Sequence, residues 1–176
     1  MGDFLTDVQT LRARAREHIE KGPVTDAYGA DVDRVVSVLN EALATEIVCT
    51  LRYRRHYYTA TGLDAGPVAA EFLQHANEEQ DHADRIAARI SQLNGEPDFN
   101  PDTLTARAHA EYDASTGLLE MVKEDLVAER VAIASYSEII TWLGDSDPTT
   151  RRLMEDILGV EEEHATDLLE FLEKMQ

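Results

Sequence analysis

Glu79-Gln80-Asp81-His82 has the spacing Glu-x-x-His, and the same spacing returns in Glu161-Glu162-Glu163-His164. Positions three apart on a helix lie on one face, so each stretch directs a carboxylate and an imidazole to the same side. One Glu-x-x-His alone is a weak signal in a chain with 35 acidic residues and 6 histidines. The repetition indicates a site only if further ligand-type residues accompany both stretches.

Each Glu-x-x-His stretch is preceded by a glutamate and a tyrosine in the same order. Glu46 and Tyr53 precede the first stretch, and Glu129 and Tyr136 precede the second, and in both cases the tyrosine stands seven positions after the glutamate. The intervals from these glutamates to the following Glu-x-x-His are 33 and 32 residues. This two-fold repeat predicts a site for two metal ions inside a four-helix bundle. The predicted ligands are Glu46, Glu79, His82, Glu129, Glu161 and His164.

The spacing of apolar residues predicts four long helices, over about residues 33–60, 67–94, 115–143 and 148–174. A few residues join the first helix to the second and the third to the fourth, which predicts two antiparallel hairpins. The segment of about 20 residues between the hairpins contains two helix-breaking prolines and is long enough to run the length of the bundle. The predicted fold class is therefore all-α, an antiparallel four-helix bundle with one long crossover.

Residues 4–20 predict a short amphipathic helix that ends before Gly22-Pro23. Its arginines alternate and so lie on different faces, which favours a helix that docks on protein over an arm that binds nucleic acid. We therefore divide the chain into an N-terminal helical extension, residues 1–30, and a four-helix bundle, residues 31–176.

The predicted ligands include four carboxylates in apolar stripes, where an unpaired negative charge costs several kcal/mol. Two divalent cations would balance that charge. Oxygen and imidazole donors without thiolate favour iron or manganese and also accept zinc. The nearby arginines are expected mostly to flank the stripes rather than to neutralise the carboxylates. These arginines are Arg52, Arg54, Arg55, Arg85 and Arg89.

The net charge of −19 argues against a duplex-DNA footprint and favours cations. No apolar run approaches the roughly 20 residues that span a bilayer, and the N-terminal stretch lacks the apolar core of a secretory signal. The single cysteine, Cys49, suits a reducing compartment. We therefore expect a cytoplasmic protein without a membrane partner, for which nucleic acid is not an expected partner.

Four segments together resemble the ferritin-like di-iron superfamily, especially the bacterioferritins and the Dps-like ferritins. They are LNEALATE ending at Glu46, EEQDHADRI around Glu79, EDLVAERV around Glu129 and VEEEHATDLLE around Glu161. The resemblance covers about residues 31–174. It implies that Glu79 and Glu161 bridge two irons per subunit while the other four ligands are terminal, with Tyr53 as the tyrosine beside the site. It also implies a ferroxidase that uses O₂ or H₂O₂ and stores or detoxifies iron.

Two departures from that family shape the expectations. Gln80 stands where bacterioferritins carry a haem-ligating methionine, so haem of that kind is not expected. The sequence given has no fifth helix after the fourth, which favours a homo-oligomeric shell of 12 subunits over 24. The alternatives are a rubrerythrin-like di-iron peroxidase, a dimanganese catalase, and a non-enzymatic, DNA-protecting assembly of the Dps kind.

Overall fold

The computed structural model describes residues 6–62 and 65–175, whose regular structure is helical throughout. Four long helices form the bundle: α2 (Val32–Thr59), α3 (Ala65–Gln92), α5 (Leu118–Leu143) and α6 (Pro148–Lys174). The shorter helices are α1 (Val8–Arg14), a 3₁₀ turn (Ile19–Lys21) and α4 (Leu104–Arg107). The predicted all-α bundle is confirmed. Within the described ranges, no helix combines the length and the apolar character that crossing a membrane requires.

The helix ends follow local capping chemistry. The Asp147 side chain accepts a hydrogen bond from the Thr150 amide, and Pro148 occupies the first turn of α6, as predicted. The first long helix begins earlier than predicted, because Asp31 rather than Asp33 accepts the amide hydrogen bond at its N-terminus. The predicted start of the third long helix near residue 115 was wrong. The Ser115 amide donates to the Asp113 side chain in a local turn that competes with helix formation, and α5 begins only at Leu118.

The two largest apolar clusters among the described residues lie one toward each end of the bundle. The first cluster includes Leu39, Leu43, Ile86, Ile90, Tyr136, Leu143, Met154 and Ile157. The second includes Tyr53, Phe72, Met121, Val122 and Leu168. Along α2 and α6 the chain passes from the first cluster to the second, and along α3 and α5 it passes in the opposite direction. The hairpins are therefore antiparallel, α3 and α5 run parallel, and the predicted one-crossover topology is confirmed.

The segment between α3 and α5 runs along α2, whose polar side chains bind its backbone. Asn40 donates to the Glu96 carbonyl at 3.1 Å near the start of the segment. The Arg52 guanidinium donates to the Glu111 carbonyl at 2.9 Å, and Arg55 donates to the Ser115 carbonyl at 2.8 Å. These bonds satisfy carbonyls that no regular structure would pair, so an irregular segment is held in one path.

The N-terminal helix is shorter than the predicted 4–20. Phe4 and Leu5 lie outside the described residues, and α1 ends at Arg14 without burying a side chain. A helix of seven residues has little stability of its own, and the core provides no packing surface for it here. Val8 and Ile19, two apolar residues of the predicted 4–20 helix, are exposed. Whether this face docks on another subunit stays a prediction.

Candidate metal centre

The six predicted ligand residues come together in the middle of the bundle, between the two apolar clusters. Glu46 extends from α2, Glu129 from α5, and the two Glu-x-x-His pairs from α3 and α6. All six side chains are buried, with no more than 2% of any residue exposed. Each predicted ligand is flanked by apolar residues on the same helix face. That face packs into the core, so the ligand is buried together with its apolar neighbours.

The donor atoms form two overlapping groups in which all atoms lie within 4.8 Å of one another. One group is Glu46, Glu79, His82 and Glu161, and the other is Glu79, Glu129, Glu161 and His164. Glu79 and Glu161 belong to both groups, so each can present one oxygen to each of two neighbouring positions.

The distances to the two imidazoles show how closely each group is gathered. His82 Nδ1 lies 2.9 Å from Glu161 Oε1 and 3.3 Å from Glu46 Oε2. His164 Nδ1 lies 3.4 Å from Glu161 Oε2, 3.6 Å from Glu79 Oε1 and 3.9 Å from Glu129 Oε2. Nitrogen and oxygen donors that bind one ion at about 2.0–2.2 Å stand about 3–3.5 Å apart, which is close to these separations.

Seven buried donor atoms of the centre have no hydrogen-bond partner among the described residues. They are Glu46 Oε2, Glu79 Oε1, His82 Nδ1, Glu129 Oε2, both carboxylate oxygens of Glu161, and His164 Nδ1. Leaving a buried polar atom unpaired costs about 1–3 kcal/mol, and more for a charged group. Unpaired carboxylate and imidazole atoms that face one another fit a pair of divalent cations, since each atom offers a lone pair.

Without a cation, protons compensate part of the negative charge. Burial raises the pKa of Glu46 to about 8, and the negative charge of the Glu79 carboxylate adds to this rise. Burial likewise raises the pKa of Glu129 well above its ordinary value, with Glu79 and Glu161 adding to the effect. Burial alone would lower the pKa of His82, but the nearby carboxylates of Glu161, Glu46 and Glu79 outweigh burial and raise this pKa to about 12. For His164 the carboxylates of Glu161, Glu79 and Glu129 likewise outweigh burial and raise the pKa to about 11.

Two buried tyrosines each bond to a glutamate of the opposite hairpin. The Tyr53 hydroxyl, on α2, donates a hydrogen bond to Glu129 Oε1 on α5, and the Tyr136 hydroxyl, on α5, donates to Glu46 Oε1 on α2. Each tyrosine leaves the second oxygen of its glutamate free to face the centre. The repeat puts Tyr53 and Tyr136 at the same interval after the two glutamates, but it contains no sign that the bonds cross between the hairpins.

A further imidazole lies beside the centre, on the α3 and α6 side. The His75 ring stacks on the His164 ring with centroids 4.0 Å apart, and His164 Nε2 lies 2.9 Å from Glu78 Oε2. His75 belongs to neither Glu-x-x-His stretch, and its side chain has no exposed area. Burial, with His164 nearby, lowers the pKa of His75 to about 3, so the ring is neutral.

The expectation that the arginines flank the buried stripes was wrong for two of them. Arg52 is 1% exposed, and its Nε lies 2.8 Å from Asp125 Oδ1, so a partner on α5 offsets the cost of burial. Asp125 Oδ2 also bonds to His56 Nδ1 at 2.8 Å. Arg89 is buried against Asp147. Neither arginine is among the partners of the ligand carboxylates, so the expectation that arginines do not neutralise the centre is consistent with this geometry.

Comparison with known proteins places these features in a family. The sequence profile of the ferritin-like domain matches residues 36–176. The DNA protection during starvation protein of Pyrococcus furiosus is 31% identical over 145 residues, which cover 80% of this chain and 78% of that protein.

Two further similarities include solved structures. The dodecameric thioferritin of Bacteroides fragilis, a bacterioferritin-related protein, superposes with a TM-score of 0.80 and 32% identity, covering 84% of this chain and 89% of its own. The bacterioferritin of Desulfovibrio desulfuricans is 29% identical over 76% of this chain and 71% of that protein. Its structure, which is described as having a diiron site, superposes with a TM-score of 0.72.

Proposed function

The chain belongs to the ferritin-like family, and from this premise we propose that it is a ferroxidase that stores or detoxifies iron. The observation that carries the proposal is the buried group of six carboxylate and imidazole side chains from four helices, with seven donor atoms left unpaired. The family contains iron-storage and Dps-type proteins, and a relative of similar fold has a diiron site. We assign iron binding to Glu46, Glu79, His82, Glu129, Glu161 and His164.

The substrate is Fe²⁺, bound two per subunit. Glu79 and Glu161 belong to both donor groups and would bridge, while Glu46 with His82 and Glu129 with His164 would complete the two positions. Four carboxylates balance two divalent cations, and the neutral imidazoles add no charge. Mn²⁺ or Zn²⁺ could bind the same donors as substitutes.

The reaction removes one electron from each of two Fe²⁺ ions. With H₂O₂ as oxidant, two electrons and two protons break the O–O bond and give two water molecules. With O₂, two electrons and two protons give H₂O₂. The protein supplies a fixed pair of positions and a dry surrounding, and Tyr53 and Tyr136 keep the terminal carboxylates oriented while the iron charge changes.

Iron storage also requires an enclosed volume, so we propose a closed homo-oligomer. The dodecameric relative of B. fragilis favours 12 subunits over 24. DNA protection is the described role of the P. furiosus relative, but a net charge of −19 opposes DNA binding here.

Light scattering coupled to size-exclusion chromatography, before and after aerobic Fe²⁺ loading, tests the proposal. We expect a shell of about a dozen subunits that retains many iron atoms per subunit. A small oligomer that retains two irons per subunit would favour the peroxidase alternative, and two manganese ions with H₂O₂ disproportionation would favour the catalase.

Substitution tests the centre itself. Glu129→Ala should abolish rapid Fe²⁺ oxidation while circular dichroism shows the helical fold intact, because one terminal ligand is lost from an otherwise complete bundle. Glu138→Ala is the matched control, since Glu138 is exposed on the same helix. Wild-type oxidation rates in Glu129→Ala would contradict the ligand assignment.

A further inference from the structure

A second cluster of ligand-type side chains lies outside the six-residue centre. Glu71 and His75 on α3 and Asp167 on α6 place three donor atoms within 4.8 Å of one another. His75 Nε2 lies 3.4 Å from Glu71 Oε1 and 3.8 Å from Asp167 Oδ2. The structure assigns to this cluster a third cation site, for Fe²⁺ that passes between the protein surface and the proposed dinuclear centre.

The imidazole distinguishes this cluster from an ordinary acidic patch. The His75 side chain is fully buried, and neither of its ring nitrogens has a hydrogen-bond partner among the described residues. Buried polar groups are nearly always paired, and an unpaired one costs about 1–3 kcal/mol. Its Nε2 faces two carboxylates that keep 25% and 46% of their side-chain surface exposed. A cation at this point would occupy the unpaired nitrogen and remain reachable from solvent.

This cluster is not part of the internal repeat, because the equivalent positions in the other half of the repeat carry different residue types. Counting from the two Glu-x-x-His stretches, the positions equivalent to Glu71, His75 and Asp167 are Leu153, Ile157 and Arg85. Two apolar residues and a cation therefore stand at the other end of the centre. Only the His164 side of the centre, among the described residues, has this set of donors.

Contacts connect the cluster to the centre step by step. The His75 ring stacks on the His164 ring at 4.0 Å, and Glu78, which bonds to His164 Nε2, forms a further donor group with these two imidazoles. Donor atoms thus lead from Asp167 at the surface through His75 and Glu78 to His164. The passage of iron along this line rests on the proposed function, whereas cation binding at the outer cluster does not.

Anomalous scattering from crystals soaked anaerobically in Fe²⁺ tests the assignment. We expect three iron peaks per subunit, two in the centre and one between Glu71, His75 and Asp167. Two peaks in the centre and none at the outer cluster would overturn the third site and leave the ferroxidase proposal standing. A peak at the outer cluster alone would support the third site and overturn the dinuclear centre, and the absence of any peak would overturn both.

A charge-matched pair of variants gives a second readout in solution. We expect the double variant Glu71→Gln with Asp167→Asn to lower the Fe²⁺ stoichiometry in anaerobic calorimetry from three per subunit to two. The control variant, Glu170→Gln with Glu173→Gln, removes two exposed carboxylates from α6 and should still bind three. Equal stoichiometry in the two variants, with circular dichroism confirming that both are folded, would overturn the third site.

Discussion

Arg52 and Asp125 form an ion pair in the interior of the protein, with 2.8 Å between Nε and Oδ1 and no more than 2% of either side chain exposed. The pair joins α2 to α5, and the same guanidinium holds the crossover through the Glu111 carbonyl. Asp125 in turn bonds to His56. A buried charge that loses its partner is far more costly than the intact pair is stabilising.

Arg52→Met should therefore lower the free energy of unfolding by about 3–5 kcal/mol, since Asp125 loses its cationic partner in the interior. Denaturant unfolding of the metal-free protein measures the change. Arg54→Met is the control, because Arg54 is only partly buried and bonds to Asn77 at the surface. Equal stability of the two variants would mean that Asp125 is compensated by another group.

The two tyrosine–glutamate hydrogen bonds between the hairpins predict that loss of either tyrosine hydroxyl has a similar effect on the centre. Tyr53→Phe and Tyr136→Phe each leave a buried glutamate oxygen without its donor, so each should destabilise the metal-free protein by about 1–3 kcal/mol. Each should also lower iron affinity or oxidation rate by about 10- to 100-fold. Stopped-flow absorbance with Fe²⁺ measures the rate, and Tyr58→Phe, at an exposed position, should leave it unchanged. A much larger rate loss in Tyr53→Phe than in Tyr136→Phe would indicate a role for Tyr53 beyond hydrogen bonding.

The pKa shifts predict that the metal-free protein loses stability as pH rises. Glu46, with a folded-state pKa of about 8, holds a proton in the folded state at pH values where the unfolded chain has released it. The stability it contributes below the unfolded-state pKa is lost as pH rises toward 8. His82 and His164, with pKa values of about 12 and 11, act in the same direction above the unfolded-state pKa of histidine. The melting temperature should therefore fall between pH 6 and pH 8.5.

Thermal melts at those two pH values measure this fall, and Glu46→Gln should reduce it because the amide does not titrate. Fe²⁺ added anaerobically should raise the melting temperature, most at pH 8.5, because cations take the place of the protons. A metal-free protein whose melting temperature rises over this range would contradict the buried carboxylate cluster. Glu138→Gln, on the exposed face of α5, should behave as the wild type does.

Asp147 accepts hydrogen bonds from three residues at the start of α6. Removing its carboxylate should therefore reduce stability by more than the loss of a helix cap alone. It accepts from the Thr150 amide at 2.9 Å, from the Tyr28 hydroxyl at 2.7 Å and from Arg89 Nη2 at 3.0 Å. Asp147→Ala should lower the free energy of unfolding by more than the cap's typical ~1 kcal/mol, because Arg89 also loses its buried partner. Asp145→Ala removes an exposed ion pair with Arg151 and should cost less than about 1 kcal/mol. Equal losses in chemical denaturation would show that Arg89 finds another partner.

The sequence predicted the parts of the structure that local periodicity encodes. The six ligand positions lie within apolar stripes, and a residue inside a stripe is buried with it, so their meeting at the bundle centre could be predicted. The loop lengths predicted the crossover in the same way. Their binding of iron and the roles assigned to them stay predictions.

The features that the sequence did not predict are pairings between distant segments. Arg52 and Asp125 are 73 positions apart and lie on different helices, and no repeat or spacing relates them. His75 stands in an ordinary helical stretch, and its burial depends on α6, which packs over it. The N-terminal helix has the apolar spacing of an amphipathic helix, but α1 buries none of its residues. Apolar spacing leads to a buried face only where another part of the protein packs against it.

The alternating directions of the four long helices also determine how charge in the centre can be stabilised. α2 and α6 point one way and α3 and α5 the other, so the dipoles of their peptide groups oppose one another in pairs. Each ligand lies near the middle of its helix, beyond the terminal turn where such a dipole acts strongly. The helix dipoles therefore offer the carboxylates little stabilisation. Protons, or the metal ions that we propose, are left to neutralise most of this charge, so the proposed affinity of the centre for cations would follow from the topology as well as from its ligands.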